Sequence, residues 1–418
     1  MAAAVCAPGF AADPYPTWRA WQAAAPVHWS TEFLGGAWVV TRYADVQMVL
    51  RDPRFAARRT GAWLAAEPDK EARHARFRQL FARAMLFLDE PDHARVRRAL
   101  QQAFSPAAMR ELSGHAEREA GALCDDVAGM ERFDFMARVA RPLPARVIAR
   151  WMGLEDIRQD TFMAWSEALA TFIGAMQPTR TQMQDAQDSL IAMAGALEGV
   201  LDERRHHPRD DLVGALLKAE AEGLLQAGPE VVAQCAMLLF GGYETTRNLL
   251  GNGLNALLRD RAQWLRLQAE PTLLPSAVRE LLRFDTPVQY TARRVTTDLV
   301  LHGTRLRRGD AVMVVIAAAN RDPQVFSNPD VLDVGRRGGS GVSFGSGAHV
   351  CIGAALTQIE AQAVFRTLLQ RYPALALDDA PGVAPRHPDW VANSVYRGLA
   401  SLPLRNSGET PRNEVVRP

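Results

Sequence analysis

The sequence predicts a mainly α-helical fold with small β-sheets, and two observations lead to this prediction. Helical periodicity dominates, and prolines stand where three helices should begin: Pro91, Pro106 and Pro229. The last of these opens the longest helical pattern, which runs towards Arg259. Strand-like alternation is scarce and comes late in the chain, at 288–292, 299–301 and 312–316.

Length and composition describe an ordinary globular protein. The chain has 418 residues, of which 48% are hydrophobic, so it can bury a large core. Length alone favours two or three domains, because single cores stop growing at roughly 250–300 residues. We detect no internal repeat and no linker rich in Gly, Ser and Pro, and only 406–418 has the composition of a polar, flexible C-terminal tail.

Charge and targeting features narrow the functional classes. Lysine and arginine (48) nearly cancel aspartate and glutamate (47), so no overall field attracts nucleic acid or an anionic membrane. The start resembles no signal peptide, and no run of about 18 apolar residues occurs. We therefore expect a cytoplasmic protein with no nucleic-acid or membrane partner. The four cysteines form no CxxC pair, so at least three should be inert thiols.

The strongest chemical feature is the string FGSGAHVCIG at 344–353, which a helical pattern follows. Cys351 stands at the N-terminus of that helix, where the dipole and free amides stabilise a thiolate. Glycines on both sides allow the backbone to approach a flat macrocycle. A thiolate on haem iron favours O–O cleavage. The alternative is a buried structural cysteine that caps a helix after a glycine loop.

A second feature is the string GGYETT at 241–246, in the longest helix. Each glycine costs about 1 kcal/mol of helix propensity, so we expect a kink or a widened turn here. An acid beside a hydroxyl at such a distortion suits proton delivery to a bound oxidant, which makes Glu244 and Thr245 catalytic candidates. The alternative is that Gly241 and Gly242 only allow close packing against a neighbouring helix.

Three further sets of charged residues stand at suggestive spacings. Glu280 and Arg283 share a helix face and can pair. His93 and Arg97 also share one face and can meet a carboxylate together, whereas Arg293 lies in a strand. Each of these could instead be a solvated surface charge.

The cysteine string resembles the F-x-x-G-x-H/R-x-C-x-G signature of the cytochrome P450 family, through Phe344, Gly347, His349, Cys351 and Gly353. The resemblance implies one haem domain over 1–405, with the family's triangular helical prism, in place of several domains. It makes Cys351 the proximal iron ligand of haem b, with Phe344 shielding the sulfur. Contacts to the haem propionates then fall to His349, His93, Arg97 and Arg293.

The resemblance extends to the other motifs. The glycine string is similar to the family's A/G-G-x-D/E-T motif, in which Thr245 would orient dioxygen and water and Glu244 would relay protons. Glu280 and Arg283 match an E-x-x-R structural lock. An arginine in a P-D/E-R segment often completes that lock, but here Pro329-Asp330 is followed by Val331. Arg336 is a candidate substitute.

The implied activity is a monooxygenase that hydroxylates or epoxidises an apolar small molecule, free or bound to a carrier protein, in natural-product tailoring and secondary metabolism. The haem domain uses the whole chain, so electrons from NAD(P)H must arrive through a ferredoxin or flavodoxin and its reductase. We expect a monomer. The predicted substrate contacts are Phe87, Phe172, Met237, Phe240, Val288 and Val395.

Two other functions share the same haem. A peroxygenase would use hydrogen peroxide, but such enzymes generally lack the acid–threonine pair that Glu244 and Thr245 form. A catalytically silent haem-binding or recruitment module could discard its cysteine, whereas Cys351 is intact in its full context.

Overall fold

A computed structural model of the chain describes residues 5, 9–33, 35–58, 72–154, 157–175, 178–339, 341–378 and 388–406. Asn406, which the sequence analysis assigns to the flexible tail, ends the last β-strand. The rest of the predicted tail lies outside the described residues.

Helices dominate the structure, as predicted. In chain order they are α1 (Tyr15–Ala24), α2 (Tyr43–Arg51), α3 (Ala72–Arg83), α4 (Asp92–Ala103), α5 (Pro106–Asp125), α6 (Pro142–Met152), α7 (Gln159–Gly174), α8 (Arg180–His206), α9 (Leu212–Ala221), α10 (Pro229–Arg259), α11 (Arg261–Ala269), α12 (Leu274–Phe284), α13 (Ile316–Ala319) and α14 (Ala354–Arg371).

The helix boundaries follow from local chemistry. Prolines occupy the first turns of α5 and α10, where the missing N–H removes no hydrogen bond. The Ser105 side chain accepts from the Ala108 amide at 3.2 Å and caps α5. Thr179 and Gln182 form a reciprocal capping box at the start of α8. The predicted helix starts near Pro106 and Pro229 are confirmed.

The β-structure is small but begins earlier than the sequence predicted. The strands are β1 (Val27–Ser30), β2 (Ala37–Val40), β3 (Phe55–Ala56), β4 (Arg132–Asp134), β5 (Thr291–Val295), β6 (Leu299–Leu301), β7 (Thr304–Leu306), β8 (Ala311–Val314), β9 (Leu375–Leu377), β10 (Asp389–Trp390), β11 (Leu399–Ser401) and β12 (Pro403–Asn406). The largest sheet has the order β1-β2-β8-β5-β3, and β4-β12-β9 forms a second one. The pairs β6–β7 and β10–β11 stand apart. The early strands were missed because they are two to four residues long and β2 pairs with β8, a distant part of the chain.

The long helix α10 crosses the core. It packs against α3, α6, α7, α8, α12 and α14, and almost every side chain of its C-terminal half is buried. Small residues permit these close contacts, because a Cβ on Gly251 would lie only 2.5 Å from the Met136 sulfur. Within the described residues, no helix combines the length and apolarity needed to cross a membrane.

A buried ion-pair cluster joins α12 to the irregular segment that precedes the cysteine loop. Glu280 and Arg283 pair at 2.7 Å, and each side chain is only 2% exposed. Arg336 donates from Nε to both Glu280 oxygens at 3.0 Å. Arg283 also donates to the Asn320 and Pro329 carbonyl oxygens. Arg336 therefore takes the third position of the lock, as the sequence analysis suggested, where Val331 cannot.

Removing this third cation should destabilise the fold. In Arg336→Ala, Glu280 loses one of its two buried cationic partners, so we expect the free energy of unfolding to fall by about 3 kcal/mol. Urea denaturation measures the change. The matched control is Arg305→Ala, which breaks a solvent-exposed pair with Asp298 and should leave the stability nearly unchanged. Equal effects of the two substitutions would contradict the claim that Arg336 stabilises the fold through its buried pair with Glu280.

Candidate active site

A cavity of about 430 Å³ lies between α10, the N-terminus of α14, β5 and the loop that carries Cys351. Most of its lining side chains are apolar. Polar and charged groups enter the wall at a few points, of which the most informative are Arg97, Arg293, His349, Thr245 and Cys351. A mostly apolar chamber with a few polar groups is typical of a small-molecule site.

Cys351 faces this cavity from a tightly bonded loop. Its amide donates to the Phe344 carbonyl at 2.8 Å, so the ends of the loop are held together. The amides of Gly353 and Ala354 hydrogen-bond the sulfur and Arg97 lies near it, and all three lower the thiol pKa. Burial has the larger effect, and the net pKa lies above the ordinary value. A cation bound to the sulfur would reverse this balance, because a coordinating thiol is deprotonated outright.

The backbone conformation of this loop requires its glycines. Gly345 and Gly347 both adopt a φ of +75°, in the left-handed region that other residues rarely enter. A Cβ on Gly347 would lie 2.9 Å from the Leu50 carbonyl oxygen at the end of α2. Gly347, predicted to contact the cofactor, is not among the cavity-lining residues. The structure thus requires glycine there for the turn and for the contact with α2.

Basic side chains gather at one part of the cavity wall. Burial lowers the pKa of Arg293 to about 10, and its Nη1 donates to the carbonyl oxygen of the preceding residue. Arg97 donates to the Val350 carbonyl at 2.8 Å. His93 lies behind the wall with its ring centroid 4.0 Å from that of His349, and its buried Nε2 has no hydrogen-bond partner. This part of the cavity can accept anionic groups.

The glycine motif of α10 contributes an uncharged surface to the cavity wall. Gly241, Gly242 and Thr245 line the cavity. The Thr245 hydroxyl donates to the Gly241 carbonyl at 3.0 Å, one turn earlier. The predicted widened turn is wrong, because α10 continues as a regular α-helix through the motif. The core packing around α10 holds a regular helix despite the low propensity of these residues.

Glu244 does not line the cavity. Its Oε1 accepts from Arg247 at 2.6 Å and from Asn248 at 3.2 Å, whereas Oε2 has no hydrogen-bond partner. Burial raises the pKa of this carboxyl. Arg247 also forms a salt bridge with half-buried Glu167, with its Nη1 3.1 Å from the Glu167 Oε1. The acid of the predicted proton relay is therefore held in an ion pair and does not line the cavity.

Some of the predicted substrate contacts line the cavity, whereas another does not. The cavity wall includes most of them: Phe87, Met237, Phe240, Val288 and Val395. Phe172 is a wrong prediction, because it does not line the cavity and instead packs edge-on against Phe77 and Phe81 in an aromatic cluster. Helical periodicity could not separate these cases, since core and pocket faces are equally apolar.

The sequence analysis missed three polar residues beside the site. Thr246 and Thr357 line the cavity, and their hydroxyl oxygens lie 3.4 Å apart. Glu360 is buried behind them, one turn along α14 from Thr357. The sequence offered one indication, the i, i+3 spacing of Thr357 and Glu360 in the helix after Cys351. This spacing is common on solvated helix faces.

Two other cysteines are buried, which agrees with the expectation that they are inert thiols. Cys124 and Cys235 are fully buried, and burial raises the pKa of each to about 12. Cys6 lies outside the described residues.

Comparison with known proteins agrees with this site. A family model described as Cytochrome P450 matches residues 146–385. The polyketide biosynthesis cytochrome P450 PksS of Bacillus subtilis (strain 168) is 34% identical over 370 residues, which cover 88% of each chain. The chain belongs to the cytochrome P450 family.

Solved P450 structures share the whole fold. P450BioI, crystallised with an acyl carrier protein ligated to hexadec-9Z-enoic acid, matches with a TM-score of 0.87 and 30% identity, covering 95% of this chain and 99% of that one. The myxobacterial P450 CYP267B1, in complex with myristic acid, matches with a TM-score of 0.84 and 34% identity, covering 96% and 98%. The chain is thus a P450 of the monooxygenase class, and the family implies a haem iron.

The residues present fit a haem. Cys351 offers a single thiol to the cavity, within reach of two backbone amides. Arg293 is almost fully buried and forms no salt bridge with a carboxylate of the described residues, and His93 has an unsatisfied nitrogen. Two propionates would supply anionic partners for such groups. Cys351 would hold the iron, and Arg97, Arg293 and His349 would hold the carboxylates.

This assignment gives a spectroscopic expectation. Reduced holoenzyme under carbon monoxide should show the red-shifted Soret band of thiolate-ligated haem, and Cys351→Ala should lose it. Cys235→Ala, which removes a buried thiol that does not line the cavity, should keep it. A red-shifted band in Cys351→Ala would disprove the assignment of the ligand.

Proposed function

We propose that this P450 inserts one atom of dioxygen into a C–H or C=C bond of an apolar substrate, with electrons from an external donor. The observation that carries the proposal is the cavity itself. Its wall combines the Cys351 thiol, the Thr245 hydroxyl and a large apolar surface. Such a wall binds an apolar molecule by burial and leaves few polar groups to fix its orientation.

A bound haem supplies the oxygen-activating chemistry, and a thiolate ligand favours O–O cleavage. The chain's own residues arrange the site around it. Arg97, Arg293 and His349 would orient the carboxylates, and the amides of Gly353 and Ala354 stabilise charge on the Cys351 sulfur. Thr245 holds a hydroxyl at the cavity wall, where it can orient water or donate a proton.

Glu244 remains our candidate for proton supply to Thr245. The unpartnered Oε2 and the link through Arg247 to half-buried Glu167 support this role. Because its carboxylate pairs with Arg247, Glu244 must exchange that contact before it can reach the cavity. Proton supply by Glu244 therefore requires its side chain to rotate.

Thr245 is the residue whose loss should separate electron consumption from product formation. In Thr245→Ala, electrons still enter, but protons reach the oxidant without control, so most of the NADPH consumed should yield hydrogen peroxide. The measurement is peroxide released per NADPH, with myristic acid as the probe substrate. Thr245→Ser keeps the hydroxyl and serves as the control. Equal coupling in Thr245→Ala and the parent protein would remove Thr245 from the mechanism.

The names of some relatives support a proposal for the substrate class. The names of the matched proteins refer to polyketide biosynthesis, an acyl-carrier-bound fatty acid and myristic acid. The two fatty acids are extended acyl chains, and the apolar lining suits such chains. We propose an acyl-chain or polyketide substrate in natural-product tailoring, free or attached to a carrier protein.

A binding assay tests this substrate class. Myristic acid and a myristoyl group on an acyl carrier protein should each shift the haem spin state in a saturable titration. Met237→Gln would place a polar amide in the apolar wall and should weaken myristic acid binding about tenfold, which corresponds to about 1.4 kcal/mol. The absence of any spin shift with both probes would exclude an acyl-chain substrate.

The electron donor should dock near the cysteine loop. Arg51 is exposed beside this loop and donates to Ser346 at 2.7 Å. Exposed Val350 adds an apolar contact. This surface suits an acidic ferredoxin or flavodoxin, which a reductase would recharge from NAD(P)H.

A further inference from the structure

A buried glutamine of α10, Gln234, bridges two backbone groups at the end of α3. Its Nε2 donates to the Arg83 carbonyl oxygen at 2.7 Å, and its Oε1 accepts from the Met85 amide at 2.9 Å. Between these two groups lies Ala84, whose backbone is extended, with φ −63° and ψ 134°. One side-chain amide thus satisfies a carbonyl and an N–H that the end of the helix leaves without helical partners.

The Gln234 side chain has no donor left for a ligand. It is 0% exposed, and its Nε2 also donates to the Glu230 carbonyl, one turn earlier in α10, at 3.3 Å. Both amide hydrogens are therefore engaged with backbone oxygens. Although Gln234 lines the main cavity, a polar substrate group could gain a donor from it only by breaking one of these bonds. Its hydrogen bonds indicate a role in holding the neighbouring backbone.

The apolar packing beside this bridge is incomplete. A second cavity, of about 20 Å³, lies where α3 meets α7, α8 and α10, and only apolar residues line it. Its wall includes Ala84 itself, together with Ala233 and Ala236 of α10. Side chains that line a void lose dispersion contacts on one side, so packing alone fixes the position of Ala84 weakly. The directional hydrogen bonds to Gln234 supply the missing constraint.

The bridged backbone leads directly into the wall of the main cavity. A 3-10 turn, Met85–Phe87, follows Ala84, and all three of its side chains line the cavity. The Phe87 amide donates to the Ala84 carbonyl at 2.9 Å, so the turn starts from the residue that Gln234 holds. Phe87 also stacks on Phe81, with ring centroids 4.8 Å apart. A displacement of Ala84 would therefore move this part of the wall.

The other polar contacts of α3 do not duplicate the bridge. Arg83 donates from its side chain to Gln226 at 3.2 Å, and Arg76 pairs with Glu198. Both contacts are accessible to solvent, and exposed pairs contribute little to stability. Among the described residues that bond α3 or Met85 through a side chain, Gln234 is the fully buried one.

We propose that Gln234 is a positioning residue that selects the site of oxidation on the substrate. By holding Ala84 against α10, it sets where Met85–Phe87 stand and so which carbon of an extended apolar molecule is presented for oxidation. This inference rests on the proposed function, because it requires an apolar substrate in the main cavity. Loss of the bridge should redistribute the products, since small displacements in a site change which atoms are placed to react.

The bridge itself is tested without turnover. Gln234→Met keeps a side chain of similar length but removes the amide, so the Met85 amide loses its acceptor. Hydrogen–deuterium exchange of the holoenzyme, read by mass spectrometry, should become about tenfold faster at Met85. The matched control is Gln226→Met, which removes only the exposed contact to Arg83 and should exchange like the parent protein. Parent-like protection of Met85 in Gln234→Met would overturn the proposal.

Product analysis tests the positioning role. The probe is myristic acid, with a ferredoxin and its reductase as electron donor, and mass spectrometry locates the new hydroxyl groups along the chain. Gln234→Met should change the ratio of the two main positional isomers by about threefold, while the carbon monoxide spectrum stays unchanged. Gln226→Met should keep the parent ratio. A residue that only stabilised the fold would lower the yield of all isomers equally, and this result would contradict positioning.

A second variant keeps the test decisive if Gln234→Met fails to fold. Gln234→Asn retains an amide but is one methylene shorter, so it cannot reach both Arg83 and Met85. It should shift the isomer ratio in the same direction. An unchanged ratio in whichever variant folds would overturn the positioning role. Failure of the parent protein to oxidise myristic acid would instead count against the proposed acyl-chain substrate, and the exchange at Met85 would still test the bridge.

Discussion

The position of the cysteine loop depends on the buried Glu280 carboxylate. Arg283, held by Glu280, donates to the Asn320 carbonyl, and the Asn320 side chain accepts from the Val342 amide at 2.7 Å. The Gly345 amide donates to the Val342 carbonyl oxygen, and the Cys351 amide donates to the Phe344 carbonyl oxygen. Hydrogen bonds and short stretches of backbone thus connect an ion pair in α12 with the Cys351 amide. Such a path stabilises one arrangement of a segment that has little regular secondary structure of its own.

Electrostatics divides the cavity into two regions. Basic groups meet along the wall formed by β5 and the cysteine loop, where burial of Arg293 makes an anionic partner favourable. The remaining wall is mostly apolar, with side chains such as Met237, Phe240 and Val395. One region therefore suits the carboxylates of a haem, and the other suits a substrate that binds by losing water contact.

The two buried acids near α10 differ in their surroundings and hence in their chemistry. Glu244 has an arginine and an asparagine as partners and connects towards the surface through Glu167. Glu360 is buried one turn along α14 from Thr357, and its Oε2 has no hydrogen-bond partner. The first is stabilised as an anion by its pairing, although burial opposes it, whereas the second is favoured as a neutral acid. Burial alone would not have distinguished them.

The sequence by itself determined the helix starts at Pro106 and Pro229, the family and the lock residues Glu280 and Arg283, because these depend on local chemistry and fixed spacings. Only the tertiary structure decided which apolar side chains face the cavity. It placed Phe172 in an aromatic cluster, paired Glu244 with Arg247 outside the cavity lining and brought Thr357 of α14 close to Thr246 of α10. The physical reason is that a periodic pattern defines the faces of a helix but not its neighbours, and the neighbours set the burial, partners and pKa of each group.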